Sequence, residues 1–187
     1  MLPKILKPYH SKKSNLVRIG PKKDGGYVID KRAIDRSKTI IACGLNDDWS
    51  FEKDFRKKNS SCNVVAYDHT VDNKFWIKRF KKDILSFFLL KKIKPNQIID
   101  IFKFFDYLKF FNGNNKHYIK KIVSKKNKSN QATITEVLKK FENTLLKVDI
   151  EGDEYQVLKD INKNSKKINL LIIEFHDVFK NLSKIKR

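Results

Sequence analysis

Apolar runs that give way abruptly to polar residues set the rhythm of the chain. Thr39–Leu45, Asn63–Asp68, Leu145–Val148 and Asn169–Asp177 are rich in Ile, Val and Leu. They are too short for helices and lack the strict alternation of a half-exposed strand, so they predict buried strands of a parallel sheet. Between them the apolar spacing changes to that of helices. Phe51 and Phe55 share one face, Val137, Leu138 and Phe141 point inward from a short helix over 133–141, and Val157, Leu158 and Ile161 follow the third long run. Strands alternating with helices predict an open α/β sheet with helices on both faces.

Leu145–Leu158 is the most informative stretch. It begins as a strand, turns acidic at Asp149, and passes Gly152, where the backbone is permissive. Asp153 and Glu154 then stand where the first turn of a helix favours negative charge. The reading is strand, acidic loop, helix.

Five further segments complete the picture. Leu16–Gly20 and Tyr27–Ile29, joined across Pro21 to Gly26, predict a hairpin, and Gly25-Gly26 reads equally as a turn or as backbone approaching a ligand. Asp48 or Ser50 is placed to cap a helix beginning near Phe51. Residues 72–113 read as an inserted pair of amphipathic helices interrupted by Pro95. Trp76, Phe80, Ile84, Phe87 and Phe88 line the first, and Ile98, Ile101, Phe102, Phe105 and Leu108 the second. Their apolar faces are expected to pack as core or cap, with membrane-surface or partner docking the lesser reading. His117–Val123 predicts a strand returning to the sheet, and residues 1–15 a basic arm.

Composition adds bounds. A length of 187 residues fits one domain over 1–187, 40% hydrophobic and 34% charged residues suit a globular protein, and no run approaches the ~20 apolar residues of a membrane span. Cys43 and Cys62 have no metal-type spacing, and the lysine-bearing N-terminus lacks an apolar signal core, so the expected setting is reducing and cytoplasmic. The formal charge of +21 raises nucleic acid or another polyanion as a partner. The lysines are scattered rather than gathered, and no helix-turn-helix, zinc-finger or RNP-like signature accompanies them, so nucleic acid stands as the weaker alternative.

Candidate chemistry gathers where the strands end: Gly44, Asp68, Asp149 with Glu151, and Glu174 with His176. Ligands of open α/β sheets bind outside the carboxyl ends of the strands, and an acid about 20 residues beyond a glycine turn commonly binds ribose hydroxyls. A strand-end Asp is also an ordinary turn residue. Asp149, Glu151, Glu174 and His176 would suit a hard cation such as magnesium if their strands are adjacent. The favoured reading has no metal, because acids beside a cationic cofactor account for themselves.

At this point the sequence resembles the FkbM-like S-adenosylmethionine-dependent methyltransferases. Leu146-Lys147-Val148-Asp149-Ile150-Glu151-Gly152-Asp153-Glu154 is similar to the family's LKxDxEGxE signature. Ala132–Leu138, Arg18-Ile19-Gly20 with Asp24–Ile29, and Ile173–His176 resemble neighbouring family segments. The resemblance spans 16–177 and leaves 72–113 unmatched. It implies a Rossmann-like class I methyltransferase sheet with a helical insertion at about 72–113. Ala42, Cys43, Gly44 and Leu45 would lie against the methionine part of S-adenosyl-L-methionine, and Asp68 would accept the ribose hydroxyls. Asp149 and Glu151 would balance the cofactor cation or accept a proton from a small-molecule or glycan hydroxyl undergoing O-methylation. His176 reads more readily as a strand-end histidine bonded to its neighbours than as the base. Two departures accompany the match. The first loop, Cys43–Asp47, contains one glycine rather than several, and the chain stops soon after the fifth sheet strand, which reads as a fragment truncated at the C-terminus, a shortened variant, or a sheet completed otherwise. The alternative to an enzyme is a degenerate, non-catalytic Rossmann-like domain that binds a polyanion such as nucleic acid.

Overall fold

A computed structural model describes Lys12 and residues 15–22, 24–89 and 95–185. The basic arm lies almost wholly outside the described residues. Leu16–Ile19 (β1) and Tyr27–Asp30 (β2) pair antiparallel, Leu16 with Asp30 and Ile19 with Tyr27, as the hairpin pattern predicts. A Cβ on Gly26 would meet the Pro21 carbonyl at 1.9 Å, so this glycine is required by the turn itself. Asp30 then caps Lys31–Arg36 (α1) by accepting from the Arg32 amide.

The sheet is assembled from Thr39–Cys43 (β3), Asn63–Tyr67 (β4), Lys116–Tyr118 (β5), Thr144–Val148 (β8) and Ile168–Ile173 (β9), in spatial order β5-β4-β3-β8-β9. Every neighbouring pair is parallel. Side chains alternate between two apolar layers. Ile40, Ala42, Val64, Ala66 and Leu145 face Ser50–Lys58 (α2), Asn73–Leu89 (α3) and Pro95–Phe110 (α4), through partners such as Phe51, Phe55, Trp76 and Tyr107. Ile41, Cys43, Val65, Leu146 and Val148 face Ile134–Leu138 (α5) and Glu154–Lys163 (α6), through Ile134, Leu138, Val157 and Ile161. β3 and β8 are buried along their whole length, which is why they read as unbroken apolar runs. The result is the Rossmann-like sheet, flanked by helices, that the alternation predicts.

Five details differ from the expectation. His117–Val123 is not one strand: Lys116–Tyr118 joins the edge of the main sheet, and Lys121–Ile122 (β6) forms a separate two-stranded sheet with Gln131–Ala132 (β7). β9 is an edge strand with Leu171 exposed, not a buried one. Residue Trp49 occupies the cap position of α2 and makes no side-chain cap bond; Asp48 works from one residue further out, accepting from the Ser50 amide and hydroxyl. On α4, Phe104, Tyr107, Phe110 and Phe111 (just past its end) turn inward, while the expected face of Phe102, Phe105 and Leu108 is exposed. On α3, Trp76 is buried as expected and Phe80 is exposed. The side chains of Ile84, Phe87, Phe88, Ile98 and Ile101 lie outside the described set. Val178–Ile185 (α7) follows β9.

Candidate active site

The carboxyl ends of β4, β3, β8 and β9 stand side by side, and the backbone ladder continues one residue past each. Gly44 N–H donates to the Tyr67 carbonyl at 2.9 Å, Asp149 N–H to Cys43 at 2.8 Å, and Glu174 N–H to Val148 at 2.9 Å. Gly44 adopts φ +83, and a Cβ there would stand 1.6 Å from the Asp149 carbonyl oxygen. The loops after β3 and β8 therefore touch at a point where only glycine fits.

Above this contact lies an open cleft of about 600 Å³. Gly44, Leu45, Asp47 and Asp48 line it from the β3 loop, Asp68 and Thr70 from the β4 end, Asp149 and Glu151 from the β8 loop, and Glu174 and His176 from the β9 end. Asp24 and Gly25 reach it from the hairpin turn, so the Gly25-Gly26 segment both turns the chain and borders the cleft. A smaller recess of about 200 Å³ shares Gly44, Asp68, Asp149 and Glu151, and is walled by Tyr67, Ile122 and Ile150. Gly44, Leu45, Asp68, Asp149 and Glu151 are thus brought together. Ala42 and Cys43 are not: both are fully buried, their side chains turned into opposite apolar layers, and burial pushes the Cys43 thiol up to about 12.

Asp68 is buried and fully engaged. One carboxylate oxygen accepts from the Leu45 and Asn46 amides at 2.9 and 2.8 Å. The other accepts from the Thr70 amide at 2.7 Å and the Thr70 hydroxyl at 2.6 Å. Burial raises its pKa, but the Thr70, Asn46 and Leu45 bonds outweigh that and hold it below the usual carboxylate value. These bonds fix the β3 loop, in which Asn46 adopts φ +50.

The β8 loop is built by two successive left-handed residues, Glu151 at φ +56 and Gly152 at φ +102. They turn the chain so that Glu154, opening α6, accepts the Ile150 and Gly152 amides on one carboxylate oxygen. The same oxygen bonds His176 Nδ1 at 3.0 Å. The other ring nitrogen of His176 lies 3.9 Å from Asp149 and 3.8 Å from Glu151. Desolvation lowers the His176 pKa, yet the Glu154 bond and the charges of Glu154, Asp149 and Glu151 raise it above its ordinary value. Asp149, Glu151 and His176 offer ligand atoms within 4.8 Å of one another, so the adjacency that a cation site would require is met. Glu151 is largely exposed, and Asp149 is about one-third exposed. Burial, followed by the nearby charge of Glu174, pushes the Asp149 carboxyl up to about 6.

Three residues that the sequence reading did not assign to the site support it: Lys147, which lines the cleft, and Glu52 and Tyr27, which bond to Lys147 and Glu174. Lys147 points from β8 to a buried ion pair with Glu52 of α2 at 3.2 Å, near the faces of Tyr27 and Phe51. Tyr27 donates its hydroxyl to Glu174 at 2.9 Å. A lysine inside the apolar run of β8 was the available signal, but its partner Glu52 lies 95 residues away in sequence.

The acids dominate the cleft of a chain whose formal charge is +21. Asp47 is neutralised by Arg79 and Lys103, and Lys147, whose charge acts on Asp149, is committed to Glu52. Asp149, Glu151 and Glu174 therefore leave the cleft net negative and suited to a cationic ligand. No curated protein and no solved structure matches the chain. Residues 42–184, a span holding every strand of the main sheet except the first three residues of β3, match the family model of the methyltransferase FkbM domain, and the chain belongs to that family.

Proposed function

We propose that the protein methylates a hydroxyl oxygen of a small molecule or glycan, with S-adenosyl-L-methionine as donor. The observation that carries this reading is Asp149, a carboxylate at a strand end beside the Gly44 contact in a net-negative cleft. The chain's residues fit such a cofactor. Gly44 and Leu45 present backbone to the methionine portion, and the acids of the β8 and β9 ends oppose its positive charge. The recess walled by Tyr67, Ile122 and Ile150 offers apolar surface to a flat base. The ribose assignment of Asp68 carries a condition. Its four acceptor positions are filled by protein groups, so a ribose hydroxyl gains a place on it when the Thr70 hydroxyl rotates away.

When bound, the cofactor supplies an electrophilic methyl group on a sulfonium. Asp149 takes the proton of the acceptor hydroxyl, a role matched by a carboxyl that titrates at about 6. Glu151, at the exposed rim, adds negative charge toward the donor. Glu174 is held in place by the Tyr27 hydroxyl and sustains the basicity of Asp149. Ala42 and Cys43 support the loop from beneath through packing. The net-negative cleft gives a polyanion no site there, which favours the enzyme over the polyanion-binding module.

The deciding experiment is calorimetric titration of the folded chain with S-adenosylmethionine and S-adenosylhomocysteine. Both should bind, and Asp149→Asn should weaken the sulfonium form more than the neutral thioether. Absence of binding to either ligand by a folded protein overturns the reading.

A further inference from the structure

We propose that the outward face of the α3–α4 hairpin docks this protein on an anionic lipid surface. Large exposed apolar side chains are concentrated there. Among the described residues, Ile77, Phe80 and Leu85 on α3 and Phe102, Phe105 and Leu108 on α4 are each 43–61% exposed. At about 100° per residue, Ile77 and Leu85 lie on the flank of α3 away from Trp76, with Phe80, one turn past Trp76, at the edge of its face; Phe102 and Phe105 lie on the flank of α4 away from Phe104 and Tyr107, with Leu108 at the edge. The inward flanks already supply the aromatic packing that joins the two helices, Trp76 against Phe104 and Tyr107, and Tyr107 also meets His117 of β5. The outward stripes are surplus to the core, and a clustered exposed apolar surface of this kind marks a binding face.

Lysines identify what covers it. Lys74, Lys78, Lys81 and Lys82 on α3 and Lys109 on α4 are exposed and interleaved with the apolar positions. Apolar side chains set among lysines are the composition of a helix lying in the headgroup layer of an anionic membrane, with hydrocarbon buried and ammonium groups left at the phosphates. A second copy of the chain is disfavoured, since each carries a formal charge of +21 and the two would repel. Single-stranded nucleic acid would satisfy the lysines and stack on the phenylalanines. Ile77, Leu85 and Leu108 present no aromatic face to a base, so lipid is the better match. The docked face is also connected to the cleft. Arg79 of α3 and Lys103 of α4 both pair with Asp47, a cleft-lining residue, so membrane contact is made by the same helices that hold one wall of the site.

The test is co-sedimentation of the full chain with phosphatidylcholine vesicles, with and without about 30% phosphatidylserine, at ~0.15 M salt. Binding should require the anionic lipid. Phe102→Ser/Phe105→Ser, which leaves the charge unchanged, should lower partitioning at least about tenfold, and Ile77→Ser/Leu85→Ser should do so independently. Thermal unfolding followed by circular dichroism checks that each pair of substitutions keeps the fold. On wild type alone, a residual bound fraction should survive ~1 M salt, where charge attraction is screened but apolar burial is not. Failure to bind anionic vesicles overturns the proposal. So does complete release at high salt, wild-type binding by both folded variants, or retention of a single-stranded RNA oligonucleotide by these residues in place of vesicles.

Discussion

Asp149 and Glu174 occupy adjacent strand ends, one residue beyond the Val148–Ile173 register pair, and the charge of the second adds to the burial that raises the first. Burial and then the Glu174 charge carry the Asp149 carboxyl to about 6, while the Tyr27 hydroxyl holds Glu174 in place at 2.9 Å. Two carboxylates at neighbouring positions cannot both ionise as freely as one alone. The pair thereby yields a group that changes charge just below neutrality.

This gives a pH dependence for ligand binding. Asp149 gains its negative charge as pH rises through about 6, so affinity for the sulfonium cofactor should increase across that interval. Affinity for the neutral thioether product should change much less. Glu174→Gln removes the neighbouring charge and should move the transition to lower pH. Calorimetric titrations between pH 5 and 8, with ~0.5-unit steps, measure both effects. An unchanged midpoint in Glu174→Gln would mean that burial alone sets Asp149.

The same group destabilises the fold when ionised. Its folded pKa of about 6 exceeds the ordinary aspartate value of 3.8, so between those values the native state holds more protons than the unfolded chain. Stability attributable to Asp149 is therefore full below the unfolded pKa and lost as pH rises through about 6. His176, also raised, loses its contribution in the same direction as it deprotonates. Asp149→Asn should unfold at a higher temperature than wild type at pH 8 and show a flatter pH profile, while binding the sulfonium cofactor less well. Differential scanning calorimetry across pH provides the comparison.

The Glu52–Lys147 pair predicts an asymmetric mutational pattern. Both side chains are nearly or wholly inaccessible, and one Glu52 oxygen has no hydrogen-bond partner. Lys147→Met leaves Glu52 charged and buried, which should cost about 3–5 kcal/mol. Adding Glu52→Leu removes the orphaned charge and should restore most of that loss. Urea unfolding of the two single variants and the double variant completes the cycle, and equal costs for Lys147→Met alone and in the pair would contradict it.

The strands and their polar ends were legible because a strand buried on both faces leaves an unbroken apolar run, and its exit into the cleft breaks that run abruptly. Gly44, Asp68, Asp149 and Glu174 stand at such breaks. Lys147 was harder to place: it sits inside the run, and its partner Glu52 reads as an ordinary charge in the first turn of a helix. Nothing local links them. The inward face of α4 was misread for a different reason. Apolar residues fill most positions from Phe102 to Phe111, so several helical phases fit equally well and only tertiary packing selects Phe104 and Tyr107. His117–Val123 has strand-like residues throughout, and the break after Tyr118 arises because β5 runs out of partner backbone at the end of β4.

Asp68 offers the sharpest separation between holding the loop and holding a ligand. Its carboxylate satisfies the Leu45 and Asn46 amides in a buried setting, and an amide side chain of the same shape turns an N–H donor toward some of those donors. Asp68→Asn should therefore destabilise the protein by ~2–4 kcal/mol, the scale of one or two buried donors left unmet. Amide hydrogen exchange at Leu45 and Asn46 should accelerate more than exchange in β3 itself. Because the carboxylate pKa is lowered, its stabilisation is present above the unfolded pKa and disappears as pH falls through the folded value, so the gap between wild type and Asp68→Asn should close in acid. Thr70→Val removes only the hydroxyl that would yield to a ribose. If Asp68 binds the cofactor as proposed, Thr70→Val should keep or improve affinity for S-adenosylhomocysteine while Asp68→Asn loses it. Parallel losses in the two variants would instead assign Asp68 to loop architecture alone.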